Sequence, residues 1–276
     1  MNPPGRHAAR STDPLDEGAA ADLLRLRLLD RRCALGLLGG VGGMAALSAI
    51  HSGVTAAVAT CVPFSHETVG PFPADGTNRA TGATSNVLTM DAFRREDIRS
   101  SLIGRDTVAE GVPVELVLTL ASVAGCAPLP GHVVYLWQND ARGRYSLYDL
   151  PDESYLRGVQ AADAAGRVRF TTVFPGCYGG RYPHMHFQVF SSLGAASTGR
   201  ESLLASQLAL PSAECADVYA DAQTYGDSMA NLERTSLTRD FIFRDNSPAG
   251  MEAMTLDLRG SPAGGYAGSA TIALPA

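Results

Sequence analysis

The sequence predicts an all-β domain, a β-sandwich core with long loops, preceded by an N-terminal export signal. Three observations carry this. Apolar residues alternate with period two in several short runs. Gly, Pro and Asp turn residues separate those runs. An uncharged apolar stretch follows an arginine pair near the N-terminus. The expected division is residues 1–60 as a polar N-region with signal or anchor, and 61–276 as the sandwich.

The N-terminal part comes first. Residues 1–32 are polar and mixed in charge and end on Arg31-Arg32; Cys33 to Ile50 carry no charge. A basic pair before an apolar, glycine-rich stretch is the layout of an export signal, and the pair resembles a twin-arginine signal. The competing reading is a membrane-spanning helix, for which 18 uncharged residues are near the lower limit. Five glycines weaken such a helix, and the small residues Ala56 to Thr60 follow, so an exported chain with cleavage near Ala59 is expected. Retention as a tether, or lipidation at Cys61, would leave the chain on a membrane.

Beyond Cys61 the strands follow in order. Val112, Val114, Leu116, Leu118 and Leu120 alternate with their neighbours, as on a half-buried strand. His132 to Trp137 is a second apolar run rich in β-formers. Arg167 to Phe174 alternates again, and Asp163 to Gly166 and Pro175-Gly176 are turns. His184 to Phe190, Leu203 to Leu210, Thr255 to Leu258 and Thr271 to Leu274 complete the set. Ser212 to Asn246 is polar and reads as a long loop with short helical turns. No long helix and no internal repeat are expected.

Composition narrows the function. The 276 residues are 45% apolar and 18% charged, which is globular rather than disordered. Net charge is −6, and all 22 basic residues are arginine. No basic patch with interleaved aromatics occurs, so nucleic acid is not an expected partner. Of five cysteines, Cys33 lies in the signal; Cys61, Cys126, Cys177 and Cys215 allow one or two disulfides in an exported chain, with three pairings open. No C-x-x-C pair is present to hold zinc.

Chemistry concentrates between Trp137 and Phe190. His184 and His186 are two apart on a strand, so both imidazoles face one side and can reach one ion. Alone, an H-x-H pair is weak, and two polar residues on a solvent-facing edge would look the same. No carboxylate follows at the spacing that zinc or ferrous iron would want. Tyr178 lies six residues upstream instead. A phenol with a pKa of about 10 stays protonated at neutral pH unless a hard cation strips its proton, and ferric iron is the ion best suited to phenolate. Copper or zinc on the same histidines is the rival metal.

These segments together resemble a family, the intradiol ring-cleavage dioxygenases. The matching text is Gly143-Arg144-Tyr145-Ser146, Leu156 to Gln160, Pro175-Gly176-Cys177-Tyr178 and Arg181-Tyr182-Pro183-His184-Met185-His186-Phe187, with Thr68 to Phe72 upstream and Ser206-Gln207 downstream. The resemblance implies one Fe(3+) per chain on Tyr145, Tyr178, His184 and His186. Tyr145 and His184 would be equatorial ligands, Tyr178 and His186 axial. Arg181 would stabilise negative charge on the substrate. Gln207 would lie beside the oxygen-binding region. Gly70 and Pro71 would border the substrate ring. Tyr148 competes with Tyr145; the Gly-x-Tyr-Ser match favours Tyr145. The chain departs from the family in carrying Gln138 after Trp137, where histidine is frequent, and in the five-residue gap between Tyr178 and His184. The implied partners are a small aromatic diol and O2. The alternative from another class is an exported binding module of the same fold without catalysis.

Overall fold

The computed structural model describes residues 61–275. The signal expected within 1–60, with Arg31-Arg32, lies outside the described residues. Eight strands form two four-stranded sheets. They are β1 (Pro113–Ser122), β2 (Val133–Trp137), β3 (Arg157–Ala161), β4 (Arg167–Val173), β5 (His184–Phe190), β6 (Leu204–Ala209), β7 (Asp257–Ser261) and β8 (Gly265–Leu274). One sheet has the order β4-β1-β8-β7 and the other β3-β2-β5-β6. The first is mixed, because β1 and β8 run parallel; the second is antiparallel throughout. The expected all-β sandwich is therefore the fold.

Alternation places the core. Val114, Leu116, Leu118 and Leu120 of β1 are buried and pack with Val134 and Leu136 of β2 and Met185, Phe187 and Val189 of β5. The next residues of β2, namely Val133, Tyr135 and Trp137, point to the opposite face and join a second cluster with Phe93, Tyr145 and Val159. Every residue of β2, β5 and β6 is buried. That sheet is covered twice, by its partner sheet and by the segments 64–105 and 139–156, which is why β2 reads as a continuous apolar run. It also places His184 and His186 inside the protein rather than on a solvent-facing edge.

The last two strands differ in extent from the sequence expectation: β7 is Asp257–Ser261 rather than Thr255 to Leu258, and β8 begins at Gly265 rather than Thr271. Arg157–Ala161 is a strand, hidden from pattern reading by a buried arginine and a glycine at its start. The short helical turns expected within Ser212 to Asn246 are three short helices, α2 (Ser212–Tyr219), α3 (Ala222–Tyr225) and α4 (Ser228–Glu233), which follow a short α1 (Leu193–Ala196) and precede α5 (Pro248–Met254). None exceeds eight residues, and among the described residues no helix is long and apolar enough to cross a membrane. Of the three pairings left open, Cys61 bonds Cys126, while Cys177 and Cys215 are buried free thiols.

Candidate metal centre

The second sheet aims two imidazoles at one point. His184 and His186 of β5 are 2% and 3% exposed, and their Nε2 atoms are 3.1 Å apart. Strand pairing fixes what stands beside them. His186 is opposite Trp137 on β2 and opposite Gln207 on β6. The Trp137 ring stacks on the His186 ring, centroids 5.0 Å apart and planes 10° from parallel. Tyr135 stacks in turn on Trp137.

The tautomer of His184 follows from its partner. Its Nδ1 lies 2.6 Å from the Tyr182 carbonyl, which can only accept. Nδ1 therefore carries the proton, and Nε2 presents its lone pair to the cluster. His186 Nδ1 is buried and has no hydrogen-bond partner. Its Nε2 faces His184 Nε2 and the Tyr145 hydroxyl at 3.2 Å.

Two loops deliver the phenols. Tyr145 follows a turn in which Asp140 accepts from the Arg142 and Arg144 amides, and its own amide donates to Asp149. Its ring is buried against Phe72. Gly143, at φ +80°, lets this turn close on Tyr178: a Cβ there would stand 3.0 Å from the Tyr178 Cβ. Tyr178 is half-buried, with its hydroxyl 3.2 Å from His184 Nε2. Helix α4 holds the preceding residue from both sides. Ser228 Oγ accepts from the Cys177 amide, and Asn231 donates to the Cys177 carbonyl.

Tyr148 points elsewhere: its hydroxyl accepts from the Ala74 amide and donates to Asn78. Gln138 is buried and satisfied without touching the cluster, donating to the Val173 carbonyl and accepting from Thr172.

Four donor atoms thus form a chain, Tyr145 Oη, His186 Nε2, His184 Nε2 and Tyr178 Oη, with links of 3.1 to 3.2 Å. Donors about 2.0–2.1 Å from a shared ion are about 2.9 Å apart at right angles and about 3.4 Å apart at tetrahedral angles. The observed links fall in that interval, so the set fits a metal. Among the described residues no three His, Cys, Asp or Glu side chains gather as a metal site, so this mixed set is of another kind.

The protein's own field keeps all four groups neutral. Burial, then Arg181, depresses His184 to about 3, and burial, His184 and Arg181 push His186 well below its ordinary value. Burial, then the neighbouring Tyr178 phenol, pushes Tyr145 well up. Burial raises Tyr178 despite the opposing pull of Arg181. Neutral imidazoles are ready to bind a cation, and the phenols need one to lose their protons.

The other expected residues surround this cluster. Arg181 Nη1 is 3.3 Å from His184 Nε2, and Nη2 donates to Gln207 Oε1 at 2.6 Å. Gln207 also donates to the Thr68 carbonyl, which ties in the loop carrying Gly70. That glycine sits at φ +78°, and a Cβ on it would be 3.1 Å from His186 Cε1. Pro71 follows on the exposed side, its carbonyl accepting from Asn78.

Sequence reasoning gave no role to Arg157 or Asp240. Arg157 is fully buried. It donates to the Phe72, Pro73 and Ser146 carbonyls, so it joins the Gly70 loop to the Tyr145 loop. Its signal was a charge inside the apolar text from Leu156 to Val159. Asp240 had none, being 59 residues from the arginine it binds.

Comparison with known proteins bears on this arrangement. Residues 98–198 match a family model described as Dioxygenase. Over 102 residues the chain is 34% identical to the protocatechuate 3,4-dioxygenase beta chain of Burkholderia cepacia, a stretch covering 31% of this chain and 43% of that one. The match thus spans less than half the length of the curated relative. In fold, the chain resembles the intradiol ring-cleavage dioxygenase of Tetranychus urticae, with a TM-score of 0.56 at 20% identity over 78% of this chain and 95% of that one. It resembles the dioxygenase Tetur07g02040 equally, with a TM-score of 0.57 at 20% identity and the same coverage of each chain.

Proposed function

From its resemblance to the intradiol ring-cleavage dioxygenases, we propose that this chain is a ferric iron enzyme of that kind. It cleaves a catechol-type ring between its two hydroxylated carbons with O2 and yields a muconate-type diacid. The observation that carries the reading is the convergence of Tyr145, Tyr178, His184 and His186, with Arg181 and Gln207 against the same cluster.

One Fe(3+) per chain would be held by those four side chains; when bound, it supplies a Lewis acid that ionises phenols and favours the dianion of the diol. The chain's own residues do the rest. Tyr145 is buried and fixed by its loop, which suits a permanent ligand. Tyr178 is half-buried, so its oxygen, once ionised, could meet an incoming diol and accept a proton from it. Arg181 presents Nη1 at the cluster edge, where charge developing on the ring would be stabilised. Gln207 anchors Nη2 of that guanidinium. The aromatic cluster of Phe72, Trp137 and Tyr145 excludes water behind the ligands.

Ferric phenolate absorbs visible light, so the purified protein should be coloured, with about one iron per chain, and should consume oxygen with a panel of catechols. A colourless, iron-free protein that stays inert after reconstitution contradicts the reading. We also propose export through a twin-arginine-like signal within residues 1–60, which rests on Arg31-Arg32 and the uncharged run alone. N-terminal sequencing of the envelope or secreted fraction tests it, and a full-length cytoplasmic chain would count against it.

A further inference from the structure

Arg181 has three polar faces, and two are accounted for by Gln207 and the ligand cluster. The third, Nε, donates to Asp240 Oδ2 at 2.9 Å. The Asp240 side chain is 0% exposed. The same oxygen accepts from the Tyr182 amide at 2.7 Å, and Oδ1 accepts from the Ile242 amide at 2.9 Å. The next residue, Phe241, lays its ring 4.9 Å from the guanidinium carbon of Arg181. One short segment, 240–242, therefore supplies both a carboxylate and an aromatic face to one guanidinium.

The Tyr182 peptide is held at both ends. Its N–H goes to Asp240, and its carbonyl takes the Nδ1 proton of His184. Asp240 thus reaches the ligand histidine through a single peptide and reaches Arg181 directly. Arginine carries much rotamer entropy, so a guanidinium that must stabilise charge at one place needs an anchor on its far side. Burial works to raise the Asp240 carboxyl. The Arg181 hydrogen bond and the Tyr182 amide outweigh it and hold the group below the usual range, in keeping with a carboxylate built to stay charged.

We propose that Asp240 is a positioning residue for ring cleavage, acting through Arg181: it fixes the Nη1 edge at the metal site and sets how much of the guanidinium charge the substrate feels. The inference rests on the ring-cleavage reading. Its test is a double-mutant cycle of Asp240→Asn, Arg181→Gln and the pair on the iron-loaded protein. The readouts are bound iron, catechol affinity by shift of the visible band without oxygen, and turnover. Asparagine keeps an oxygen for Arg181 Nε and Tyr182 N–H and removes the charge. Asp240→Asn should lower kcat by about tenfold to a hundredfold with little change in KM, and bound iron should stay near wild type. In the double variant the loss should equal that of Arg181→Gln alone within about threefold, as expected of groups acting as one unit.

Multiplying losses would overturn the proposal, because Asp240 would then act independently of Arg181. Loss of iron in Asp240→Asn with turnover per bound iron unchanged would also overturn it, and would make Asp240 purely structural. Asp240→Glu keeps the charge and provides a second variant if the amide is poorly folded; it should recover part of kcat. A wild-type protein that binds iron and a catechol but never cleaves the ring sinks the functional reading. That outcome sinks the present proposal with it, whereas multiplying losses in a protein that does cleave the ring overturn the proposal alone.

Discussion

Gly70 and Gly131 make a controlled pair. Both have a left-handed backbone, φ +78° and +75°. A Cβ on Gly131 would meet nothing within 4 Å, whereas one on Gly70 would stand 3.1 Å from His186 Cε1. Alanine at either position incurs the left-handed penalty of about 1–2 kcal/mol, partly offset by the lower entropy of the unfolded chain. A net loss of about 1 kcal/mol lowers Tm by about 2–4 °C in a domain of this size. Gly131→Ala should show that and nothing more. Gly70→Ala must in addition move the His186 ring by a few tenths of an ångström, and Trp137 stacked on that ring limits where it can go. Metal sites tolerate about 0.2 Å, so iron affinity should fall by about tenfold or more. That removes about a further 1.4 kcal/mol of linked stability from the iron-loaded protein. The assay is thermal unfolding of both variants with and without iron, together with competitive chelation. Equal iron affinity in the two variants, or an equal Tm shift with iron present, would refute the claim that the Gly70 loop packs on a ligand.

Three other outcomes are expected. Tyr145→Phe should lose more iron than Tyr178→Phe, because Tyr145 is buried and Tyr178 half-buried, while Tyr178→Phe should chiefly slow turnover; equal iron loss in chelator titrations would contradict that division. All nine tyrosines are pushed above their ordinary value, with burial the leading cause, and Tyr135 reaches about 12. Raised folded-state values mean that this stability is complete below pH of about 10 and is lost as pH climbs toward 12 and beyond; phenolate absorbance should therefore rise cooperatively with unfolding, and a simple titration near pH 10 would contradict it. Removing the bond between Cys61 and Cys126, 65 residues apart, by Cys126→Ala should cost up to about 4 kcal/mol by chain entropy, read from urea unfolding; a change below about 1 kcal/mol would show that the loop adds no constraint.

Much of the sandwich was legible, because alternation survives wherever one face of a strand is covered more than the other. Val114 to Leu120 shows it most clearly. β5 was legible for a different reason: His184 and His186 mark one face and Met185 and Phe187 the other, although both faces are buried. β3 escaped because Arg157 and Gly158 break the apolar pattern, and only the fold shows the arginine satisfied by backbone carbonyls. The helices after Ser212 were legible only as short turns within a loop, because each is too short to display a periodic face. At the site, spacing alone supported only the histidine pair. The family resemblance selected Tyr145 and Tyr178, and the fold brings both hydroxyls to the imidazoles. The support behind Arg181 was illegible, since a contact across 59 residues leaves no local trace.

On the proposed reading, Tyr145, Tyr178, His184 and His186 are neutral in the protein alone, and ferric iron, on binding, would ionise the two phenols and be held by all four for intradiol cleavage. The most direct measurement is mass analysis of the product formed by the iron-loaded protein from a catechol under isotopically heavy dioxygen. The expected product is a ring-opened diacid that has gained both oxygen atoms, with the break between the two hydroxylated carbons. A product opened beside the diol, or a merely oxidised quinone without incorporated oxygen, would contradict it.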